Sequence, residues 1–354
     1  AKKAFGVRVA FVVGYFVIVA GIISAAAVAL GFGGYLAAVL NVNYITPLAV
    51  GCIILFALIN LWGIKQTAWV NIICTLLEAG GLLLIIALAF RYIGNVDYFS
   101  MPHGYTGVFS AASLIFFAFI GFDSIIKLSE ETKNPTKTIP RAMILSIVIT
   151  TILYIAVAIS AVSILGWEAL GASNAPLADV AAVAMGNSAF LMLAIIAIFS
   201  TANTVLIIIL STSRIMYGMG AERSLPEFLS KVHKKFRTPW VAILAVTILA
   251  IVFASIGDIA FVAGATNFAI FVTFAIINAA LIGLRYTAPR QKRPFKMPLN
   301  IGKFPILALL GVITSVFMLV NLEKMVLIGG IGLTLIGVAV YEGYTRYHIK
   351  KSRR

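Results

Sequence analysis

Charge is scarce in this chain. Only 11% of its 354 residues are charged and 62% are hydrophobic, so no long stretch carries enough polar surface to form an independent soluble domain, and one membrane domain is the economical reading. Cysteine is nearly missing as well. Cys52 and Cys74 both lie in or against apolar runs, which argues against a disulfide framework or a metal site and leaves them as small core residues. The three histidines, His103, His233 and His348, fall in separate loops or tails, and no HExxH, P-loop or GxSxG pattern occurs. An enzyme is therefore not expected, nor a cofactor or a bound metal.

What the chain has instead is ten long apolar stretches: residues 9–30, 47–61, 72–90, 108–126, 142–165, 190–213, 240–256, 259–284, 304–320 and 325–341. If the N-terminus starts inside and the chain crosses at every stretch, all but Arg91 and Lys324 of the 27 Lys and Arg residues share one side. Cations collect on the cytoplasmic side of a membrane protein, so span count and orientation support each other: a multi-pass protein of the cell membrane with both termini cytoplasmic. The formal net charge of +15 is then the excess that orients helices during insertion, and no nucleic-acid partner is implied. Clusters at Lys231 to Arg237, Arg290 to Lys296 and Lys350 to Arg354 could touch anionic membrane lipids.

An ionised group near mid-membrane costs about 2.5 to 3.5 kcal/mol, so the few acids within spans are the first candidates for function. Glu78 lies in the third stretch, NIICTLLEAGGLLLII, and is either a neutral, hydrogen-bonded packing residue or a carrier of a proton or ion. Asp123 lies in the fourth, within FFAFIGFDSI, directly after Gly121 and Phe122. Glycine favours a local break that frees backbone groups to bind a ligand; a packing glycine beside an interfacial acid is the other reading. Asp258, at the short outer turn before the eighth stretch, reads as a solvated helix cap.

The loops add detail. In EETKNPTKTIPRA, residues 130–142, Pro135 and Pro140 are expected to end any helix, and Glu130 and Glu131 amid Lys133, Lys137 and Arg141 read as a salt-bridged clamp. STSRIMYGMGAERSLPEFL (211–229) closes the sixth stretch, RTPWVAI opens the seventh at Arg237, and KRPFKMPL from Lys292 precedes the ninth. The outer loop from Gly166 to Asn187 has no cation, and its run GASNAPLADVAAVAMG is long enough for a short helix across the mouth.

Together these segments resemble the amino acid/polyamine/organocation (APC) transporter family. FFAFIGFDSI with EETKNPTKTIPRA is similar to the family's sixth helix and the loop after it. SRIMYGMGAERSLPEFL with RTPWVAI resembles the end of its eighth helix and the start of its ninth, WGIKQTAWVN at 62–71 the beginning of its fifth, and KRPFKMPL the loop before its eleventh. The resemblance implies an all-α membrane protein of two inverted five-helix repeats followed by two peripheral helices. Residues 1–92 would be the remainder of the first repeat, 105–287 the second, and 303–345 the peripheral pair. Residues 9–30 would be the family's third helix, so the chain is expected to lack the first two and, as it stands, not to transport. A broken repeat mate for the fourth stretch would precede the first.

The implied activity is alternating-access transport of amino acids, proton-coupled or by exchange. In the family, carbonyls at the break of the sixth helix receive the substrate's amino group, which maps to Phe117, Ala118 and Ile120, with Gly121 as the break and Phe122 as an aromatic gate. Many members carry a lysine in the fifth helix; aligned on Val70 and Asn71, its place is taken here by Glu78, a departure from the family pattern. A carboxyl facing Ser200, Thr201 or Thr204 could hold a proton, or a cation with help from a carbonyl. A polyamine or amine exchanger, which would favour a further acid, and a non-transporting scaffold or sensor are the alternatives. A channel has no filter or ring of charge to support it. A groove is expected between the break at Phe117 to Phe122, the third stretch near Glu78 and the sixth near Ser200.

Overall fold

An apolar segment in a bilayer can satisfy its backbone only by coiling on itself or closing a barrel, and this chain coils. The computed structural model describes residues 2–63, 68–122, 132–288 and 297–352. In chain order its helices are α1 (Lys2–Leu40), α2 (Ile45–Trp62), α3 (Ala68–Ala89), α4 (Gly104–Ile115), α5 (Pro135–Leu165), α6 (Trp167–Ala172), α7 (Pro176–Met185), α8 (Asn187–Ala221), α9 (Trp240–Ala254), α10 (Ile259–Thr287), α11 (Ile306–Val320) and α12 (Lys324–Ser352). A minimal hairpin pairs Asn300–Ile301 with Phe304–Pro305 ahead of α11. Among the described residues, α1, α2, α3, α5, α8, α10 and α12 are long and apolar enough to cross a membrane, and α4 with the turn after it, α9 and α11 are shorter apolar helices. Each of the ten apolar stretches therefore carries a helix, in an all-α arrangement. Many large apolar side chains face outward, among them Ile144, Leu145 and Ile152 of α5 and Ile248 of α9. In water so much exposed hydrocarbon would be a liability; against lipid it is the expected surface.

The centre of the bundle is α1, which runs along α8 and α10. Its buried face is built of Phe16, Ile23 and a series of alanines, Ala25, Ala26 and Ala29. Small side chains let backbones approach closely. The approach is tightest at Gly21, where an added methyl would collide with the Thr212 side chain of α8. A second core joins α3, α5, α7 and α8 around Ile85, Ile164, Ala178 and Leu193. The short helix expected within GASNAPLADVAAVAMG is α7, buried along Ala178, Ala181 and Ala184, and Arg91 donates to the Ala184 carbonyl at 2.6 Å, placing a cation at a helix C-terminus.

Helix ends mostly follow local chemistry. Asp258 accepts from the Ala260 and Phe261 amides at 2.9 and 3.1 Å, the cap expected at the head of α10. Pro135 and Pro140 depart from expectation, because Pro135 begins a helix and Pro140 lies within it, and neither ends one. Pro135 occupies the first turn of α5, where its missing N–H has no partner to lose, and Pro140 sits inside the helix. Asn134, at φ 54°, is where the chain turns into it, so α5 starts at Pro135, well before residue 142. Asp123, Glu130, Glu131 and the Arg290 to Lys296 cluster lie outside the described residues, as do the side chains of Val70, Asn71 and Lys350 to Arg354.

Candidate functional site

Regular geometry fails in the fourth apolar stretch. After Ile115, residues Phe116–Phe119 form a single tighter 3-10 turn, Ile120 is extended at φ −67°, ψ 137°, and Gly121 takes φ 119°. Only glycine adopts that last φ freely, so the break falls on the residue that the sequence singles out.

A helix that tightens and stops leaves carbonyls without their usual partners, and neighbouring helices supply donors. Asn267 of α10, fully buried, gives its side-chain amide to the Ser113 and Leu114 carbonyls at 2.7 and 2.9 Å. Its Oδ1 has no partner among the described residues. On the other side of the turn, the Tyr154 hydroxyl of α5 donates to the Ala118 carbonyl at 3.0 Å, and the Phe117 carbonyl accepts from the Ile120 amide at 3.2 Å. Aromatic rings hold the segment laterally. Phe116 lies 4.9 Å from Phe271, Phe122 lies 6.0 Å from Phe274, and Phe119 meets the Tyr154 ring edge-on at 5.2 Å.

The broken segment forms one wall of a cavity of about 460 Å³. Phe117, Ala118, Ile120, Gly121 and Phe122 all line it, with Val17, Gly21 and Ser24 of α1, Thr204, Ser211 and Thr212 of α8, and Ile270, Thr273 and Phe274 of α10 opposite. The groove expected between the fourth, third and sixth stretches is corrected in its walls: α1 and α10, not α3, face the broken turn. Of the residues singled out for coupling, Thr204 lines the cavity and Glu78, Ser200 and Thr201 do not. Thr201 donates to the Ala197 carbonyl of its own helix at 2.7 Å, and Thr204 to the Ser200 carbonyl at 2.9 Å. Glu78 is half-buried on α3.

Asn267 and Tyr154 are not among the groups charged at neutral pH that the sequence singles out. The available signal is an uncharged polar side chain inside an apolar span, ATNFAIF for one and ILYIAV for the other, since such a group must find a hydrogen-bond partner on another helix or its own backbone. Which partner it finds depends on the assembled bundle.

Carbonyls and hydroxyls facing hydrocarbon walls can bind and release a small polar molecule. Such a cavity, beside a broken helix in a multi-pass helical bundle, defines a membrane transporter and not an enzyme. Residues 1–326 match the family described as amino acid permease, and the chain belongs to that family. Similar proteins include the branched-chain amino acid permease BcaP of Bacillus subtilis, 31% identical across 98% of this chain and 78% of that protein. BcaP of Lactococcus lactis is 30% identical across 84% and 66% of the two chains, and the methylthioribose transporter of Bacillus subtilis 25% identical across 97% and 77%.

Proposed function

We propose that the protein moves small apolar amino acids across the cell membrane by alternating access, proton-coupled or by exchange, with both termini cytoplasmic. The observation that carries this is the composition of the cavity beside the broken helix: the interrupted backbone turn at one wall, aliphatic side chains interspersed with a few hydroxyls on the others. An ammonium brings three donors and no acceptor, so the turn at Phe117, Ala118 and Ile120 is the natural place for a substrate's amino group. Val17, Ile207, Ile215, Ile270 and Ile277 suit an aliphatic side chain. The naming of two similar proteins for branched-chain amino acids supports the same substrate class. No acid is among the described lining residues, which disfavours the polyamine exchanger, and a scaffold that had lost transport would have no use for a held break. The organisation we favour keeps residues 1–92 in a first repeat, 105–287 in an inverted second, and 303–345 as a peripheral pair.

Reconstituted in liposomes, the full-length protein should take up leucine, isoleucine and valine saturably and discriminate against arginine and putrescine; equal uptake of the cations would overturn the substrate class. Glu78, with Ser200, Thr201 and Thr204 on α8, remains the proposed coupling group. Glu78→Gln should abolish pH-dependent accumulation and spare much of the exchange, because an amide cannot carry the proton. Unchanged pH dependence would reduce Glu78 to a packing residue.

A further inference from the structure

Five side-chain hydroxyls line the cavity among the described residues, and three are already committed. Thr204, Ser211 and Thr273 donate to carbonyls of their own helices, at 2.9, 3.1 and 2.8 Å. Ser24 of α1 and Thr212 of α8 differ. They are only 7% and 3% exposed, and neither hydroxyl has a hydrogen-bond partner among the described residues. Gly21 lies one turn before Ser24 on the same face of α1, and any side chain there would overlap the Thr212 Oγ1. The bare backbone at Gly21 thus leaves room for that hydroxyl one turn from Ser24. A buried hydroxyl without a partner is unfavourable, so two of them in one cavity wall call for a ligand atom that serves them. Their surroundings say which. Val28 follows Ser24 by one turn, and Ile208 and Ile215 lie one turn to either side of Thr212, so both hydroxyls are set into the aliphatic lining that suits a substrate's side chain. A carboxylate placed there would give up its water for two neutral donors among hydrocarbon, which do not offset the loss. A neutral hydroxyl needs no more than such a pair provides.

We propose that Ser24 and Thr212 are specificity-determining residues that read a hydroxyl on the substrate's side chain, so that the carrier accepts β-hydroxy amino acids, threonine first, beside the aliphatic ones. This rests on the reading of the cavity as the amino-acid site. Threonine is valine with one methyl replaced by a hydroxyl, so the pair holds shape nearly constant while one polar atom changes. In a wholly hydrocarbon cavity that atom would lose its water without replacement and threonine would be turned away. Here two hydroxyls receive it. Because they project from one side of the cavity, they also favour one configuration at the side-chain carbon that bears the hydroxyl.

In liposomes, the full-length protein should take up threonine saturably and in competition with valine. Allo-threonine, the epimer at the hydroxyl-bearing carbon, should compete roughly threefold to tenfold less well, the worth of one hydrogen bond. Ser24→Ala and Thr212→Val each remove one hydroxyl with little change of shape, and each should raise the ratio of the threonine KM to the valine KM by roughly threefold to tenfold. A ratio unchanged in both variants overturns the proposal. Substitutions that weaken valine and threonine alike would assign the pair to the carboxylate that every amino acid carries, and overturn it as well. If neither variant reaches the membrane, the epimers decide on the unsubstituted protein, where equal competition by threonine and allo-threonine overturns the reading. The underlying site is judged by valine alone. Absence of saturable valine uptake sinks the amino-acid cavity itself, whereas saturable valine uptake that threonine does not inhibit sinks only the roles of Ser24 and Thr212.

Discussion

Asn267 is buried and gives its amide to the Ser113 and Leu114 carbonyls at the end of α4. Asn267→Ala should therefore cost about 2 kcal/mol or more, as expected when buried acceptors lose their donor, and appear as a lowered melting temperature of the purified protein. A melting temperature within a degree of the parent would mean that the carbonyls find other donors. Residues of this kind mark the limit of the sequence. Gly121 could be singled out because a break inside an apolar span needs a residue indifferent to positive φ. Glu78 could be singled out because charge there is costly. Asn267 and Tyr154 take their roles from partners on α4 and the turn after it, more than 30 positions away along the chain, and no local pattern names those partners.

At the scale of elements, periodic apolar runs translate directly into helices, and so all ten stretches are legible as helices, seven of them, among the described residues, long and apolar enough to cross a membrane, as is the short helix between the fifth and sixth stretches. Boundaries fare less well. A proline can end one helix or begin the next, and the backbone at Asn134 shows that Pro135 begins one, with Pro140 carried inside it. The walls of the cavity are less legible still: which helices oppose the broken turn follows from the packing of α1 against α8 and α10, a long-range property. The break itself can be probed. Gly121→Val must hold a β-branched residue at φ 119°, a strain of about 1 to 3 kcal/mol, although an added Cβ meets no atom there. Transport should fall sharply while expression falls little, because the strain is confined to the turn proposed to receive the substrate's amino group. Normal transport by Gly121→Val would show that the positive φ is dispensable.

For the whole molecule, the proposed alternating access would require some helices to move and others to stay. Cysteines at Gly14 and Met219, which face each other between α1 and α8, should form a disulfide that leaves exchange intact. Cysteines at Phe109 and Phe317, whose rings sit 5.1 Å apart between α4 and α11, should arrest it until a reductant is added. The opposite pattern would assign the moving part to α1 and α8. The first half of that expectation follows from the contact at Gly21. With the Thr212 side chain seated where any other residue would carry its Cβ, the two helices meet like a key in a slot. Sliding one past the other would have to lift the threonine clear of its notch before a new notch came into register. If transport proceeds by the proposed alternating access, the pair would be a stator, against which the rest of the bundle swings.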